Sequence, residues 1–319
     1  MPYNKINPEL LVKHTRDGLI EQSHYGFIVL TNKNKPFDFT GEDKGYPFFI
    51  RSCAKPLQAS LIIDYGIDEV YNLTQEEIAL SCASHSGEKL HVDIAKKYLK
   101  KIGLKEKDLK CGLHKPISKK EQDVLIAKNK KETVFQNNCI GKHIMMLAIC
   151  KHKGWDLATY DEANHPLQIE IKKKINELCH IKKDYPLTKD GCGVPIVSMP
   201  LKNLVQGYIN LFSDVKYAKI KNAFLDNPKV IGGEDRLDTK VMECSRNLLA
   251  KVGASGLCIV MNLEKEEAFI VKICDSDMKA REIVVADVLK NLNWGSFETD
   301  KDIKTLHNEV IGKITTSFD

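Results

Sequence analysis

The sequence predicts a mixed α/β (α+β) protein in which both ends of the chain build one antiparallel sheet around an inserted helical domain. Three observations predict it. Strand formers dominate the first fifty residues, a helical texture runs from Ser52 to about Cys179, and alternating apolar segments return after Cys192. The expected division is a sheet domain from residues 1–51 and 193–319 and a helical domain from 52–192. At 319 residues the chain can bury a core of that size.

Each element has its own signal. Residues 10–14, 19–23 and 25–31 read as strands, separated at Asp17-Gly18 and at a turn cluster over 32–35. Thr74-Gln75-Glu76-Glu77 is a capping box that opens a helix toward Ser81. Residues 88–102 carry Leu90, Ile94, Tyr98 and Ile102 at i+4 spacing and stop at Gly103. A polar break, Ser84-His85-Ser86-Gly87, lies between these two helices. Residues 141–153 and 165–179 are further helices, the second with Ile171, Ile175 and Leu178 inward. Residues 194–199 resemble a strand, 201–212 a helix, and 236–251 an amphipathic helix. A hairpin pairs 256–263 with 268–274, and 278–292 closes as an apolar-faced helix.

Composition narrows the function classes. Hydrophobic content of 43% is that of an ordinary globular chain. No segment approaches the roughly 18 apolar residues that span a bilayer, and residues 1–7 lack the apolar region of a signal peptide. A cytoplasmic protein is expected, its ten cysteines reduced and many of them buried, since none falls in a C-x-x-C pair. The net charge of +5 is carried mostly by lysine, in runs such as Lys172-Lys173-Lys174 that read as solvated surface. Arginine, the preferred reader of nucleic acid, occurs only at 16, 51, 236, 246 and 281. No nucleic-acid or membrane partner is expected.

The chemistry centres on Arg51-Ser52-Cys53-Ala54-Lys55-Pro56. Residues i and i+3 share a helix face with Cβ atoms roughly 5–6 Å apart, so the Lys55 amine can serve Ser52 as a base. Pro56 suits a first turn, which puts the helix start near Ser52 and its hydroxyl at the positive end of the dipole. Four further clusters stand out. Residues 81–88 gather hydroxyls, an imidazole and a carboxylate in a loop, a pattern that also suits a helix C-cap followed by an N-cap. Asn137-Asn138-Cys139-Ile140-Gly141-Lys142-His143 offers amides, a thiol and two bases at a helix mouth. Asp190-Gly191-Cys192-Gly193 sets a thiol between glycines, as if backbone must approach something closely. By spacing alone Cys139 and Cys192 read as buried thiols rather than zinc ligands. Lys272, inside the apolar run 268–274, reads as an edge or snorkelling lysine.

Together these segments resemble the asparaginase II family, the Rhizobium-type L-asparaginases. The resemblance runs from about Leu11 to beyond Asp275 and is carried by His24 and Gly26, Arg51-Ser52-x-x-Lys55-Pro56 and Ser84-His85-x-Gly87-Glu88 with His91. It continues through Asn137-Asn138-Cys139-x-Gly141-Lys142-His143, His165-Pro166-Leu167-Gln168, Asp190-Gly191-Cys192-Gly193-x-Pro195 and Arg236-x-Asp238-Thr239. It implies a fold like serine β-lactamases and glutaminases, an L-asparagine amidohydrolase and a homodimer. It also implies two Ser–Lys pairs, Ser52 with Lys55 and Ser84 with Lys272, and one zinc ion held by Cys139, Lys142 and Cys192. Ile140 departs from the family's serine, and Cys53 stands where a small residue is common.

In the reading that follows, Ser52 attacks the side-chain amide and Lys55 takes its proton. A free lysine has a pKa of about 10.4, so Lys55 needs lowering toward about 7–8, which a second ammonium such as Lys272 would supply. Arg51 suits the substrate α-carboxylate and Asp190 or Glu88 the α-ammonium. His85 belongs with them as a substrate contact, and His143 is placed against the bound amino acid or a zinc ligand. Two rivals stay open: a glutaminase or other Ser–Lys amidase, and a non-catalytic zinc-stabilised binding module.

Overall fold

The structure, a computed structural model, describes residues 6–32 and 38–318; of the turn expected over 32–35 all but Asn32 lies outside the described residues. Strands β1 (Glu9–Arg16) and β2 (Leu19–Asn32) form a hairpin whose two turn residues, Asp17 and Gly18, have φ of 47° and 81°. Two left-handed residues in succession match the twist of the strands they join, and Asp-Gly accepts that conformation readily. The two strands expected over 19–31 are one continuous element, because Ser23–Tyr25 keeps the extended alternation and pairs with β1 throughout.

The sheet is antiparallel, in the order β10-β11-β1-β2-β9-β8-β7, with the short β3 (Asp38–Thr40) also paired to β2. Here β7 is Leu248–Gly253, β8 Leu257–Asn262, β9 Glu267–Ile273, β10 Asp302–Lys304 and β11 Val310–Thr316. The central pairing therefore joins Gly26–Asn32 to Glu267–Ile273, opposite ends of the chain. Successive residues of β7, β8 and β9 point to opposite faces, yet nearly all are buried, so both faces of the sheet are covered. Helices α8 (Leu201–Ser213) and α12 (Met278–Asn291) pack on it. A second small sheet, β4-β6-β5, joins Phe48–Phe49, Pro195–Met199 and Leu187–Lys189.

The helices between are α1 (Lys55–Asp64), α2 (Ile67–Val70), α3 (Gln75–Cys82), α4 (Lys89–Lys101), α5 (Lys119–Ala127), α6 (Ile140–Lys153) and α7 (Pro166–Leu178). Three more, α9 (Ala218–Asp226), α10 (Pro228–Ile231) and α11 (Leu237–Cys244), follow α8, and α9 returns to pack on α3. The capping box at Thr74 and Glu77 is formed. The single helix expected over 236–251 is two elements. Helix α11 stops at Cys244, and Leu248–Gly253 pairs residue for residue with β8. An apolar run buried on both faces carries no period to separate strand from helix.

Helix α6 is the helical core, buried from Ile140 to Cys150. It crosses α3 at Gly141, where an added Cβ would lie 2.0 Å from the Leu80 carbonyl oxygen. That contact brings the end of α3 and the start of α6 together. Gly141→Ala is expected to lower stability in urea unfolding by at least about 1–3 kcal/mol, the usual cost of overpacking; an unchanged midpoint would remove this contact from the constraints on the fold.

Candidate active site

Ser52 lies in a 3-10 turn, Arg51–Ala54, that feeds directly into α1, so the helix proper begins at Lys55 with Pro56 in its first turn. Arg51 enters this turn at φ 46°, left-handed backbone that costs a non-glycine residue about 1–3 kcal/mol. Its side chain is anchored. Nε and Nη2 each lie 3.0 Å from Asp190 Oδ1, and Nη1 donates to Ser255 Oγ at 3.2 Å. Cys53 is wholly buried against β7, its thiol donating to the Lys251 carbonyl at 3.4 Å, and the Tyr208 hydroxyl donates to its carbonyl at 2.8 Å. Neighbours on three sides therefore fix the backbone carrying Ser52.

Lys55 is buried with its ammonium donating to Ala83 O at 2.6 Å, Asn138 O at 2.9 Å and Ser84 Oγ at 3.0 Å. Its pKa is pushed down to about 8, first by burial and then by the nearby Lys142 and Lys251 charges, against the opposing pull of Cys139. Its serine partner in the structure is thus Ser84. No hydrogen bond links Lys55 to Ser52 among the described residues, although Ser52 and Ser84 line one cavity of about 400 Å³. The neutral amine fits this cage well. Its two N–H groups satisfy the two carbonyls, leaving the lone pair for the Ser84 hydroxyl.

Beside Lys55 the start of α6 and the 190–193 turn bring Cys139, Lys142, Asp190 and Cys192 together. Cys139 is held well below the ordinary thiol pKa by the neighbouring Cys192 and by Lys55 and Lys142, while Cys192 is pushed up by Cys139 beside it and by burial. Burial disfavours the Lys142 ammonium, but Cys139, Cys192 and Asp190 hold its pKa above the usual range; Asp190 Oδ2 is 4.0 Å away. Among the described residues no group of three His, Cys, Asp and Glu side chains is placed to hold a metal ion. Cys139 and Cys192 offer two soft sulfur donors suited to zinc, and Lys142 could join them only as the neutral amine. His143, next on α6, meets the Tyr160 hydroxyl at 2.6 Å through Nδ1, while its buried Nε2 has no partner. That hydroxyl also accepts from Lys110 N at 2.9 Å, so Tyr160 links α6 to the segment before α5.

Lys272, His85 and Glu88 lie elsewhere. Lys272 sits on β9 between β2 and β8, in the middle of the sheet rather than at an edge. Its ammonium donates to Ser255 O at 2.6 Å and Ile273 O at 2.9 Å, with no hydrogen bond to Ser84 among the described residues. It faces a second cavity of about 420 Å³, shared with Arg51 and Ser255. His85 is buried and stacked on His91 at 4.6 Å, accepting from Gly87 N, and burial holds it neutral. Glu88 opens α4 and accepts from Glu234 N at 2.9 Å.

Sequence reasoning passed over Lys251. It is fully buried on β7, pairs with the equally buried Asp238 at 3.4 Å and donates to Val252 O at 2.9 Å. Asp238 also accepts from Val252 N, and although burial opposes its charge, Lys251 and Arg236 keep it ionised. The lysines whose charges reach Lys55 are therefore Lys142 and then Lys251. The available signal was a lysine inside the apolar run 248–252, the same anomaly that drew attention to Lys272.

The family model described as L-asparaginase II matches residues 12–316. No curated protein sequence matches the chain. Among solved structures it is similar to a β-lactamase from Mycobacterium bovis, at 10% identity and TM-score 0.45 over 83% of this chain and 94% of that one. A putative β-lactamase from Bacteroides dorei gives 10% and 0.45 over 78% and 85%. An octameric penicillin-binding protein homologue from Pyrococcus abyssi gives 16% and 0.29 over 83% and 73%.

Asp238→Ala should cost about 3–5 kcal/mol in urea unfolding, because it strands the Lys251 charge in the core. Replacing both as Asp238→Leu with Lys251→Met should cost much less. Equal losses from the two variants would show that the ion pair does not hold this region together.

Proposed function

This chain belongs to the L-asparaginase II family, and from that premise we propose that it hydrolyses the side-chain amide of L-asparagine to L-aspartate and ammonia by Ser–Lys nucleophilic catalysis. The observation that carries the reading is the caged Lys55 amine, bonded to Ser84 at the cavity that Ser52 also lines. Ser52 Oγ adds to the amide carbon. Its proton passes to Ser84 Oγ as Ser84 gives its own proton to neutral Lys55. The same relay run backward protonates the amide nitrogen as the C–N bond breaks, and ammonia departs from a Ser52 acyl-enzyme. Water then adds to the ester carbon with Lys55 again drawing its proton through Ser84, and that proton returns to Ser52 Oγ as the Ser52 ester bond breaks and aspartate is released. The direct bond from Lys55 favours a second reading in which Ser84 itself is acylated; mass spectrometry of the trapped acyl-enzyme distinguishes the two.

In this scheme Arg51 and Asp190 hold the Ser52 turn, since their charges are spent on each other. Cys139, Cys192 and Lys142 would hold one zinc ion, with Asp190 and the His143 imidazole beside it. Bound zinc would supply a Lewis acid that polarises a carbonyl oxygen or lowers the pKa of water. Lys142 must lose its proton to bind metal, so zinc affinity should fall as pH falls. Metal analysis should find about one zinc per wild-type chain and little in Cys192→Ser. Full occupancy in that variant would remove Cys192 from the ligand set.

Ammonia release from L-asparagine, with L-glutamine beside it, tests the reaction. Ser52→Ala should abolish turnover. Lys55 must be neutral to accept a proton, so kcat/KM should rise with pH along a limb centred at about pH 8. Faster glutamine turnover would move the chain to the glutaminase reading. Loss of neither amide's hydrolysis in Ser52→Ala would place the nucleophile elsewhere, and no hydrolysis of either amide by zinc-replete wild-type protein would leave the binding module.

A further inference from the structure

The cavity at Ser52 and Ser84 is asymmetric in charge. Its walls come from the 3-10 turn, the Ser84 loop, Asn138, the Val252–Gly256 hairpin, and the starts of α11 and α12. Arg236 and Arg281 line it, and among the described residues no aspartate or glutamate does. The two arginines differ. Arg281 is nearly buried and donates through Nη1 to the carbonyls of Gly253 at 3.1 Å and Leu257 at 3.2 Å, which makes it a brace for the hairpin. Arg236 is half-buried at the start of α11, and its guanidinium has no hydrogen bond or ion pair among the described residues. Arg51, the arginine first expected to bind a carboxylate, is paired with Asp190 and lines the other cavity instead.

From this we infer that Arg236 is the residue that anchors the α-carboxylate of the substrate, and that recognition of the amide substrate runs through its anion. The inference rests on the proposed amidohydrolase reading and deepens it. An arginine with an open fork, facing two serine hydroxyls across a cavity lacking a competing carboxylate, presents two parallel N–H donors to a planar anion. Asp238, two residues on, is buried outside the cavity lining and spends Oδ2 on Lys251 and Val252; it makes no hydrogen bond or ion pair with Arg236 among the described residues. Lysine at this position would keep the charge and lose the fork.

The test is a two-by-two comparison of wild-type and Arg236→Gln on L-asparagine and on its α-amide, L-aspartic acid diamide, which carries the same side-chain amide without the carboxylate. Wild-type should prefer asparagine, and the variant should lose roughly tenfold to hundredfold in kcat/KM on asparagine, the range for removing a charged hydrogen bond, chiefly through KM. On the diamide, wild-type and variant should be alike, and Arg236→Lys should recover part of the loss on asparagine. Equal losses on both amides would assign Arg236 a structural role and overturn the inference, as would an unchanged KM for asparagine. If wild-type turns over neither amide, calorimetric binding of L-aspartate decides the matter separately. Binding to Arg236→Gln that is tenfold weaker or lost supports the anchor, whereas equal binding by both proteins, or none by wild-type, refutes it.

Discussion

The buried Lys55 ammonium is the interaction on which the rest of the structure depends. It ties three separate backbone segments together: its own helix α1, the residue after α3 through Ala83 O, and the residues before α6 through Asn138 O. An ammonium taken out of water must have every proton accepted, or the penalty runs to several kcal/mol. The three chain ends therefore have one arrangement that satisfies it. The glycine crossing of α3 and α6 makes that arrangement possible, since any Cβ at residue 141 would collide with the Leu80 carbonyl and separate the two helices. Packing and chemistry are not separable here. The cage that offsets the cost of burying Lys55 also sets its pKa and aims it at Ser84.

Charge organises what surrounds it. Three lysines, 55, 142 and 251, are buried within reach of one another, each with its own partner set: carbonyls and a hydroxyl, thiols and a carboxylate, and Asp238. Mutual repulsion among them favours giving up one proton, and Lys55 is the one with no carboxylate beside it. Arg51 is the counterpart on the other side. Its left-handed backbone is paid for by the Asp190 contact, so the turn bearing Ser52 is coupled to the segment bearing Cys192.

Much of this was legible in the sequence. The Asp17-Gly18 turn, the Thr74 capping box, α4 and α12 follow from local patterns, because those patterns act over a few residues. The convergence of Cys139, Lys142 and Cys192 was legible only through the family resemblance, since spacing carries no information about a contact across fifty residues. What failed had a physical cause. Residues 248–251 were read as the end of a helix because a strand buried on both faces has no alternation. With that strand misread, the buried Lys251 on it went unremarked. Side-chain reach also outran spacing. The i, i+3 rule put Lys55 beside Ser52, but the first residues form a 3-10 turn and the amine points to Ser84 instead.

The sheet's central seam has a consequence for how the molecule comes to exist. Because β2 pairs with β9 across some 240 residues and β7 buttresses the Ser52 turn, the helices can form early while the reactive turn waits for nearly the whole chain. Long-range pairing of this kind slows folding and leaves apolar strand edges exposed meanwhile. A ribosome-bound chain would thus carry Ser52 and Lys55 long before it carried an environment able to activate them.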